Sequence, residues 1–173
     1  AIQLAADRLS NRFKSKQEIY IFIDEIKKFI NTSQNTCWLV PHTPADNTFI
    51  KKHFAGYKIY PLKTKLEESS VVMGFYEQMK CVIGQRGHAN ICPFGLNVPI
   101  ISLVSHQKNI GFMKKVGFAN YALDVGDQDL HNKLISMVKT IDEQYYTKQK
   151  KINEQLKQQS ETIVEKIINA SIH

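Results

Sequence analysis

The stretch of sequence that decides the fold is residues 81–112, which read Cys81-Val-Ile-Gly-Gln-Arg-Gly-His-Ala-Asn-Ile-Cys-Pro-Phe-Gly-Leu-Asn-Val-Pro-Ile-Ile-Ser-Leu-Val-Ser-His-Gln-Lys-Asn-Ile-Gly-Phe112. Two short apolar runs in it, 81–84 and 99–104, each lead into a polar turn and then into a segment with the character of a helix. Strand, turn and helix therefore follow one another twice, which is typical of β-α units built around a parallel sheet.

The same alternation continues on both sides of this stretch. Apolar runs predict further strands at 36–40, 57–62 and 120–125, with a weaker one at 1–5. Helical spacing of apolar residues predicts helices at 16–31, 69–80, 87–96 and 107–116. Crossovers between parallel strands are almost always right-handed, so we predict an α/β fold with a Rossmann-like open parallel sheet and helices on both faces. Ligands are expected beyond the carboxyl ends of the strands.

A change of composition after Gly126 divides the chain. Glycine and proline disappear there, and apolar residues recur at spacings of three, four and seven, which predicts one long helix or two. We therefore predict a Rossmann-like domain over 1–126 and a C-terminal helical extension over 127–173. The apolar stripe of the extension is expected to pack against the sheet or a neighbouring domain rather than a membrane.

The composition indicates a globular protein with a basic surface. Of 173 residues 43% are hydrophobic, and 23 Lys and Arg against 16 Asp and Glu give a net charge of +7. This charge favours anionic partners, but the basic residues are spread out rather than clustered with aromatic side chains, which argues against nucleic acid. Three cysteines without C-x-x-C spacing, and no apolar run long enough to span a membrane, favour a reducing, cytoplasmic location. No His or Cys ligand set indicates a metal, so none is expected.

The turn after the predicted strand at 81–84 carries the first candidate site residues. Gly84 ends the strand, and Gln85, Arg86 and His88 then fall at the carboxyl edge of the sheet, where a helix starts. Unpaired amides at a helix start attract anions, and a guanidinium suits phosphate or carboxylate. Imidazole is the side chain best suited to move a proton near neutral pH. We predict that Arg86 binds an anion and that His88 acts as an acid or base beside it.

A second basic turn is predicted to converge on the same edge. Ser105, His106 and Lys108 follow the next strand and open the next helix, and His42 follows the strand at 36–40. A single Arg or His at a helix start often only satisfies backbone groups, but polar basic residues at three strand ends are hard to assign to packing. The remaining histidines are expected at the surface, and they are His53, His131 and His173.

Several short motifs of the sequence resemble those of a known family. The matching motifs are Val82-Ile-Gly-Gln-Arg-Gly-His-Ala89, Gly95-Leu-Asn-Val-Pro-Ile-Ile-Ser102, Lys108, Gly111-Phe112 and the upstream Leu39-Val-Pro-His42 with Asp46. Together they are similar to the C-terminal half of the polysaccharide pyruvyl transferase family, and they cover most of 1–126. Members of that family resemble two-domain glycosyltransferases of the GT-B type. Many carry a bulky residue such as Leu where this chain has Gly87, so the subfamily and the substrate stay open.

The resemblance implies a transferase that moves pyruvate from phosphoenolpyruvate to a sugar as a ketal, with Arg86 binding the donor and His88 as the acid or base. The implied partners are phosphoenolpyruvate, a capsular or cell-envelope saccharide that is free or linked to a lipid at the inner membrane face, and a facing N-terminal domain. The chain begins with Ala rather than Met, which is compatible with such a further domain. No cofactor is implied.

Two alternatives remain open from the residues. The same strand-end turns suit the diphosphate of a nucleotide sugar, in which case Glu67 or Glu68 is a candidate for binding the ribose. The other alternative is a non-catalytic α/β module that binds a partner through its tail helix.

Overall fold

The computed structural model describes residues 1–61 and 69–171, with only the backbone for Ser69 and for 169–171. This part of the chain forms the predicted α/β fold around a parallel sheet. The strands, in the order in which they lie side by side, are β1 (Ile2–Gln3), β2 (Val82–Gly84), β3 (Ile100–Val104) and β4 (Ala122–Asp124). The helices are α1 (Ala6–Arg12), α2 (Lys16–Thr32), α3 (Pro44–His53), α4 (Ser69–Glu77), α5 (His88–Gly95), α6 (Gln107–Lys115), α7 (Leu130–Lys139) and α8 (Glu143–Ser171).

Two single-residue bridges extend the sheet beyond β1. Leu39 pairs with Ile2 and Ile59 pairs with Leu39, both in the parallel sense. When these two segments are counted as strands, the chain order across the sheet is 3-2-1-4-5-6, which is that of the Rossmann fold. The order reverses between β1 and β2, so the ligand crevice of this fold class falls outside the carboxyl ends of these two strands.

The strands predicted at 36–40 and 57–62 are shorter than expected, because proline stops the pairing at the end of the first and inside the second. Pairing is confined to the single bridges described above. Pro41 and Pro61 come directly after the paired segments, and proline has no N–H with which to continue a ladder. The last residue of the second predicted strand, Leu62, lies outside the described residues.

The sequence predicts α2, α4, α5 and α6 but leaves out the two short helices α1 and α3. α3 has a clear local signal, since Thr43 is its N-cap and Pro44 is its first residue. α1 has only seven residues and no side-chain cap, so its local signal is weak. Both helices matter for the site, because they follow the first two strand segments at the carboxyl edge of the sheet.

The C-terminal extension consists of two helices, and the start of α8 packs on the α/β part. The Tyr145 hydroxyl accepts a hydrogen bond from the Ile100 N–H (3.0 Å) and donates one to the Ile100 carbonyl (3.1 Å). Gln149 is fully buried, and its Nε2 donates to the carbonyl of Phe94 in α5 (2.9 Å) and to that of Val98 (3.0 Å). Farther along the same helix, Leu156 and Ile163 are exposed. The expected packing of the apolar stripe on the sheet therefore holds only for its first part.

β2 ends where α5 packs directly against it. A Cβ atom at Gly84 would lie 2.6 Å from the carbonyl oxygen of Ala89, closer than real Cβ contacts allow. The glycine at this position is therefore required by packing, and it allows α5 to begin immediately beyond the strand. This close approach brings the start of α5 to the crevice between β1 and β2.

A buried carboxylate joins α2 to α7. Glu25 is 4% exposed, and its two oxygens accept hydrogen bonds from the Lys28 ammonium (2.8 Å) and from both the ring Nδ1 (2.7 Å) and the backbone N–H (3.1 Å) of His131. His131, predicted to be a surface residue, instead anchors the start of α7. Burial raises the pKa of Glu25, but the hydrogen bonds from Lys28 and His131 more than offset this and lower it to about 2.

Substituting Gly84 tests the packing of α5 on β2. Gly84→Ala should lower the free energy of unfolding by about 1 to 3 kcal/mol, because the helix must shift to admit the methyl group. Gly111→Ala is the matched control, since a Cβ there meets nothing within 4 Å and alanine favours a helix. Urea unfolding followed by circular dichroism measures both variants. Equal stability of the two would contradict the packing argument.

The Glu25 carboxylate should make stability depend on acid pH. Its pKa in the folded protein is about 2, below its ordinary value of 4.5, so its contribution is present above about pH 4.5 and is lost as the pH falls toward 2. Glu25→Gln should therefore cost about 1 to 3 kcal/mol at pH 7 and progressively less below pH 4.5. The exposed neighbour Asp24→Asn is the control. If the difference in free energy of unfolding between Glu25→Gln and the wild type stayed constant across this pH range, the assignment would be wrong.

Candidate functional site

A cleft of about 320 Å³ opens at the carboxyl edge of the sheet, where the turns after β2 and β3 meet. It brings together side chains from both predicted turns and three that the sequence does not predict, Arg8 of α1, Ile91 of α5 and Asn109 of α6. The residues that line it are Arg8, Gln85, Arg86, Gly87, His88, Ile91, Ser105, His106, Lys108 and Asn109. The expected convergence of two basic turns is therefore present in the structure.

The start of α5 presents His88 and unpaired amides to this cleft. His88 is the first residue of α5 and is exposed. No side chain caps this helix, and the Asn90 and Ile91 N–H groups donate to the Gly87 carbonyl (3.0 and 2.8 Å). The N–H groups of Gly87 and His88, which both line the cleft, have no described partner and are available to an anion. An imidazole and a helix start thus face the same small volume.

The start of α6 is arranged differently, because His106 caps it. The Nδ1 atom of His106 accepts a hydrogen bond from the Lys108 N–H at 3.3 Å, so this nitrogen acts as an acceptor and its lone pair is committed. The Lys108 ammonium is exposed beside it. The hydroxyl of Ser105 is buried without a hydrogen-bond partner among the described residues.

Arg86 lines the cleft, but its guanidinium is engaged by two carboxylates. Nε donates to Asp46 Oδ2 (2.9 Å), and Nη2 donates to Asp46 Oδ1 (2.7 Å) and to Asp7. The side chain of Arg86 is 18% exposed, and the hydrogen bonds that it donates to Asp46 raise its pKa above the ordinary value. The sequence predicts an arginine that offers its charge to a ligand. In the structure this arginine lines the cleft and also organises the edge of the sheet through its two carboxylate partners.

Asp46, at the start of α3, is the fully buried partner in this ion pair. Besides Arg86 it accepts backbone hydrogen bonds from Ala6 (3.2 Å) and His42 (3.3 Å). Burial raises the pKa of Asp46, but the hydrogen bonds and charge of Arg86 outweigh burial and leave this pKa below its ordinary value. The carboxylate is thus ionised at neutral pH and joins α1, α3 and the turn after β2.

Two buried glutamines complete the link between β1 and β2. The Gln3 side-chain oxygen accepts from the Arg86 N–H, and the Gln85 side-chain oxygen accepts from the Ala5 N–H, both at 2.8 Å. Gln85 is 1% exposed and lines the cleft, and its Nε2 has no hydrogen-bond partner among the described residues. Buried polar groups normally find a partner, so this amide is a candidate donor to a ligand or a water.

His42, Gly84 and Glu67 complete the set of predicted site residues. Gly84 is buried at the end of β2 and does not line the cleft. His42 is half-buried, and its Nε2 lies 2.6 Å from the hydroxyl of the buried Tyr76 instead of lining the cleft. Burial lowers the pKa of His42 to about 4, so its ring is neutral at pH 7. Glu67 lies outside the described residues.

The charge balance at the cleft is weakly positive. Three cations (Arg8, Arg86 and Lys108) against two paired carboxylates (Asp7 and Asp46) give 3 − 2 = +1. The unpaired amides at the start of α5 add a partial positive charge of about half a unit. This arrangement attracts a small anion and places an imidazole next to it.

Comparisons with models of protein families, with curated proteins and with solved structures find no match for this chain. Across residues 1–61 and 69–171, no three His, Cys, Asp or Glu side chains are grouped closely enough to hold a metal ion. In the same part of the chain, no helix has the length and apolar character needed to cross a membrane.

Removing the buried charge of Asp46 should destabilise the whole edge. Asp46→Asn leaves the partly buried Arg86 without its main counter-ion, which should lower the free energy of unfolding by about 3 to 5 kcal/mol. Asp7→Asn removes the exposed partner of the same guanidinium and should cost less than about 1 kcal/mol. Thermal and urea unfolding of the two variants measure the difference. A cost for Asp46→Asn no larger than that for Asp7→Asn would contradict the role of the buried pair.

Proposed function

We propose that the cleft binds phosphoenolpyruvate and that the protein is the donor-binding half of a pyruvyl transferase acting on a saccharide. The observation that carries this proposal is the meeting, in one small cleft, of His88, the uncapped start of α5 and the basic start of α6. The resemblance of these same residues to the polysaccharide pyruvyl transferase family supports it. A donor with one phosphate and one carboxylate suits a cleft with two basic turns.

His88 is the proposed acid. It gives a proton to the methylene carbon of phosphoenolpyruvate, which makes C2 electrophilic, and a sugar hydroxyl then bonds to C2 and returns its proton to His88. The bond from C2 to the phosphate oxygen breaks, a second hydroxyl bonds to C2 and closes the ketal, and the proton of that hydroxyl leaves with the inorganic phosphate. His88 is exposed at the cleft and makes no described side-chain hydrogen bond, so its ring can reach a bound donor.

The other cleft residues hold the donor. Lys108, the amides at the start of α5 and the unpartnered Gln85 and Ser105 groups supply cationic and neutral donors for phosphate and carboxylate oxygens. Arg86 acts as a positioning residue, because its guanidinium is already bound by Asp46 and Asp7. His106 contributes as the cap of α6, and His42 lies behind the edge against Tyr76.

The acceptor is a capsular or cell-envelope saccharide, either free or linked to a lipid carrier. A facing N-terminal domain would provide the second wall of the cleft and shield the reaction from water. The protein would then act in the cytoplasm, at the inner face of the membrane when the acceptor is lipid-linked. The net charge of +7 suits an anionic membrane surface.

The competing donor is a nucleotide sugar, whose diphosphate would occupy the same helix starts. The two donors differ in what they require beyond the anion site. A nucleotide needs a platform for its base and an acidic group for its ribose, whereas phosphoenolpyruvate needs only donors for its phosphate and its carboxylate. The basic, polar lining of the cleft supplies such donors and favours the smaller molecule.

The test combines binding and turnover. Isothermal titration of the chain with phosphoenolpyruvate and with a uridine diphosphate sugar should show binding of the first and little of the second. On the full-length gene product, phosphate release from phosphoenolpyruvate is measured with a panel of saccharide acceptors. His88→Ala should lower turnover by about 10² to 10⁴ with less than a threefold change in donor affinity.

His106→Asn is the matched control, because asparagine keeps the cap of α6 while removing the second imidazole of the cleft. It should retain most of the turnover. Tighter binding of the uridine diphosphate sugar would favour the glycosyltransferase alternative. Near-normal turnover of His88→Ala would rule out its role as the acid.

A further inference from the structure

α1 runs along the carboxyl edge of the sheet and is held at both ends. At its start, the Ala6 N–H donates to the buried Asp46 carboxylate. At its end, Arg12 Nη2 donates to both carboxylate oxygens of Asp124, the last residue of β4 (3.0 and 3.1 Å). Leu9 in its middle is fully buried. The helix therefore presents its other side chains at fixed positions along the edge.

The chain has three arginines, and the structure gives them different degrees of pairing. Arg86 is bound by Asp46 and Asp7, and Arg12 is bound by both oxygens of Asp124. Arg8 makes one described ion pair, a long 3.5 Å approach of its Nε to Asp7, and its side chain is 46% exposed. Asp7 is also shared with Arg86, so it compensates Arg8 only in part.

Arg8 also lines the cleft that holds His88 and Lys108. The same cleft is lined by Gln85, a side chain 99% buried whose amide nitrogen has no partner among the described residues. An unpartnered buried donor and a guanidinium with spare donors at one small cleft are the two elements of a site for a carboxylate or phosphate group.

We infer that Arg8 is the anion-binding arginine of the cleft, the role that the sequence pattern assigns to Arg86. Its guanidinium donates to the carboxylate or phosphate oxygens of the bound molecule, while Arg86 holds the edge in place. This inference rests on the proposed function for the identity of the donor, but the anion site itself does not depend on which donor is bound.

Arginine-selective labelling with phenylglyoxal tests the assignment directly, because each of the three arginines is identified separately by mass spectrometry. Arg8 should react fastest and Arg86 slowest. Phosphoenolpyruvate should slow labelling of Arg8 at least fivefold and leave Arg12 unchanged. Inorganic phosphate and uridine diphosphate are run as separate protecting anions.

Two variants complete the test. Arg8→Gln should weaken binding of phosphoenolpyruvate by about 10- to 100-fold, the range expected for loss of a charge-assisted hydrogen-bonding pair. Lys114→Gln, which removes an exposed cation of α6 that does not line the cleft, should change it by less than twofold.

The outcomes separate this inference from the proposed function. Protection of Arg8 by inorganic phosphate or uridine diphosphate, with no effect of phosphoenolpyruvate, would support the anion site and overturn the proposed donor. If the affinity of Arg8→Gln for phosphoenolpyruvate stayed within threefold of the wild-type value, the assignment of Arg8 would be overturned. The proposed donor would still be supported, because it binds. Failure of every anion to protect Arg8 would overturn the assignment as well.

Discussion

The ion pair between Arg86 and Asp46 is the interaction on which the carboxyl edge of the sheet depends. A carboxylate with no solvent exposure is tolerated only when it is paired and hydrogen-bonded, and Asp46 achieves this with Arg86 and with backbone N–H groups from two other segments. Each of those segments is thereby fixed relative to the turn after β2. This arrangement determines the shape of the cleft, because α1 and α5 both start beside the ion pair.

This arrangement also decides what the crevice between β1 and β2 can accept. In a Rossmann fold that crevice is open to a dinucleotide, but here Gln3, Gln85 and the ion pair fill its inner part with hydrogen-bonded side chains. The remaining opening lies over the starts of α5 and α6. A ligand in this opening lies next to the helix starts, whereas a ligand in the inner part would have to displace a buried charged network at a cost of several kcal/mol.

The fold was predictable from local pattern, whereas the pairing within the site was not. The apolar runs at 81–84 and 99–104 are bounded by glycine, proline and polar turns, so strand, helix and the location of the site follow from periodicity. The partner of Arg86 lies 40 residues away in α3, and no spacing rule connects them. For the same reason His131 was expected at the surface, although the carboxylate that binds it is 106 residues upstream. α1 was missed because it is short and uncapped, and Arg8 was missed with it.

An edge organised by one arginine needs a second cation to bind a ligand. Arg86 with its two carboxylates carries a net charge of 1 − 2 = −1, which would repel an anion if it stood alone. The positive charges of Arg8 and Lys108 change the net charge at the cleft from −1 to +1. An anion that binds Arg8 must compete with Asp7, but this contact is exposed and long, and exposed pairs contribute less than about 1 kcal/mol. A charge-assisted hydrogen bond to a ligand contributes about 1.5 to 3 kcal/mol, so the ligand prevails over Asp7 while the buried pair stays intact.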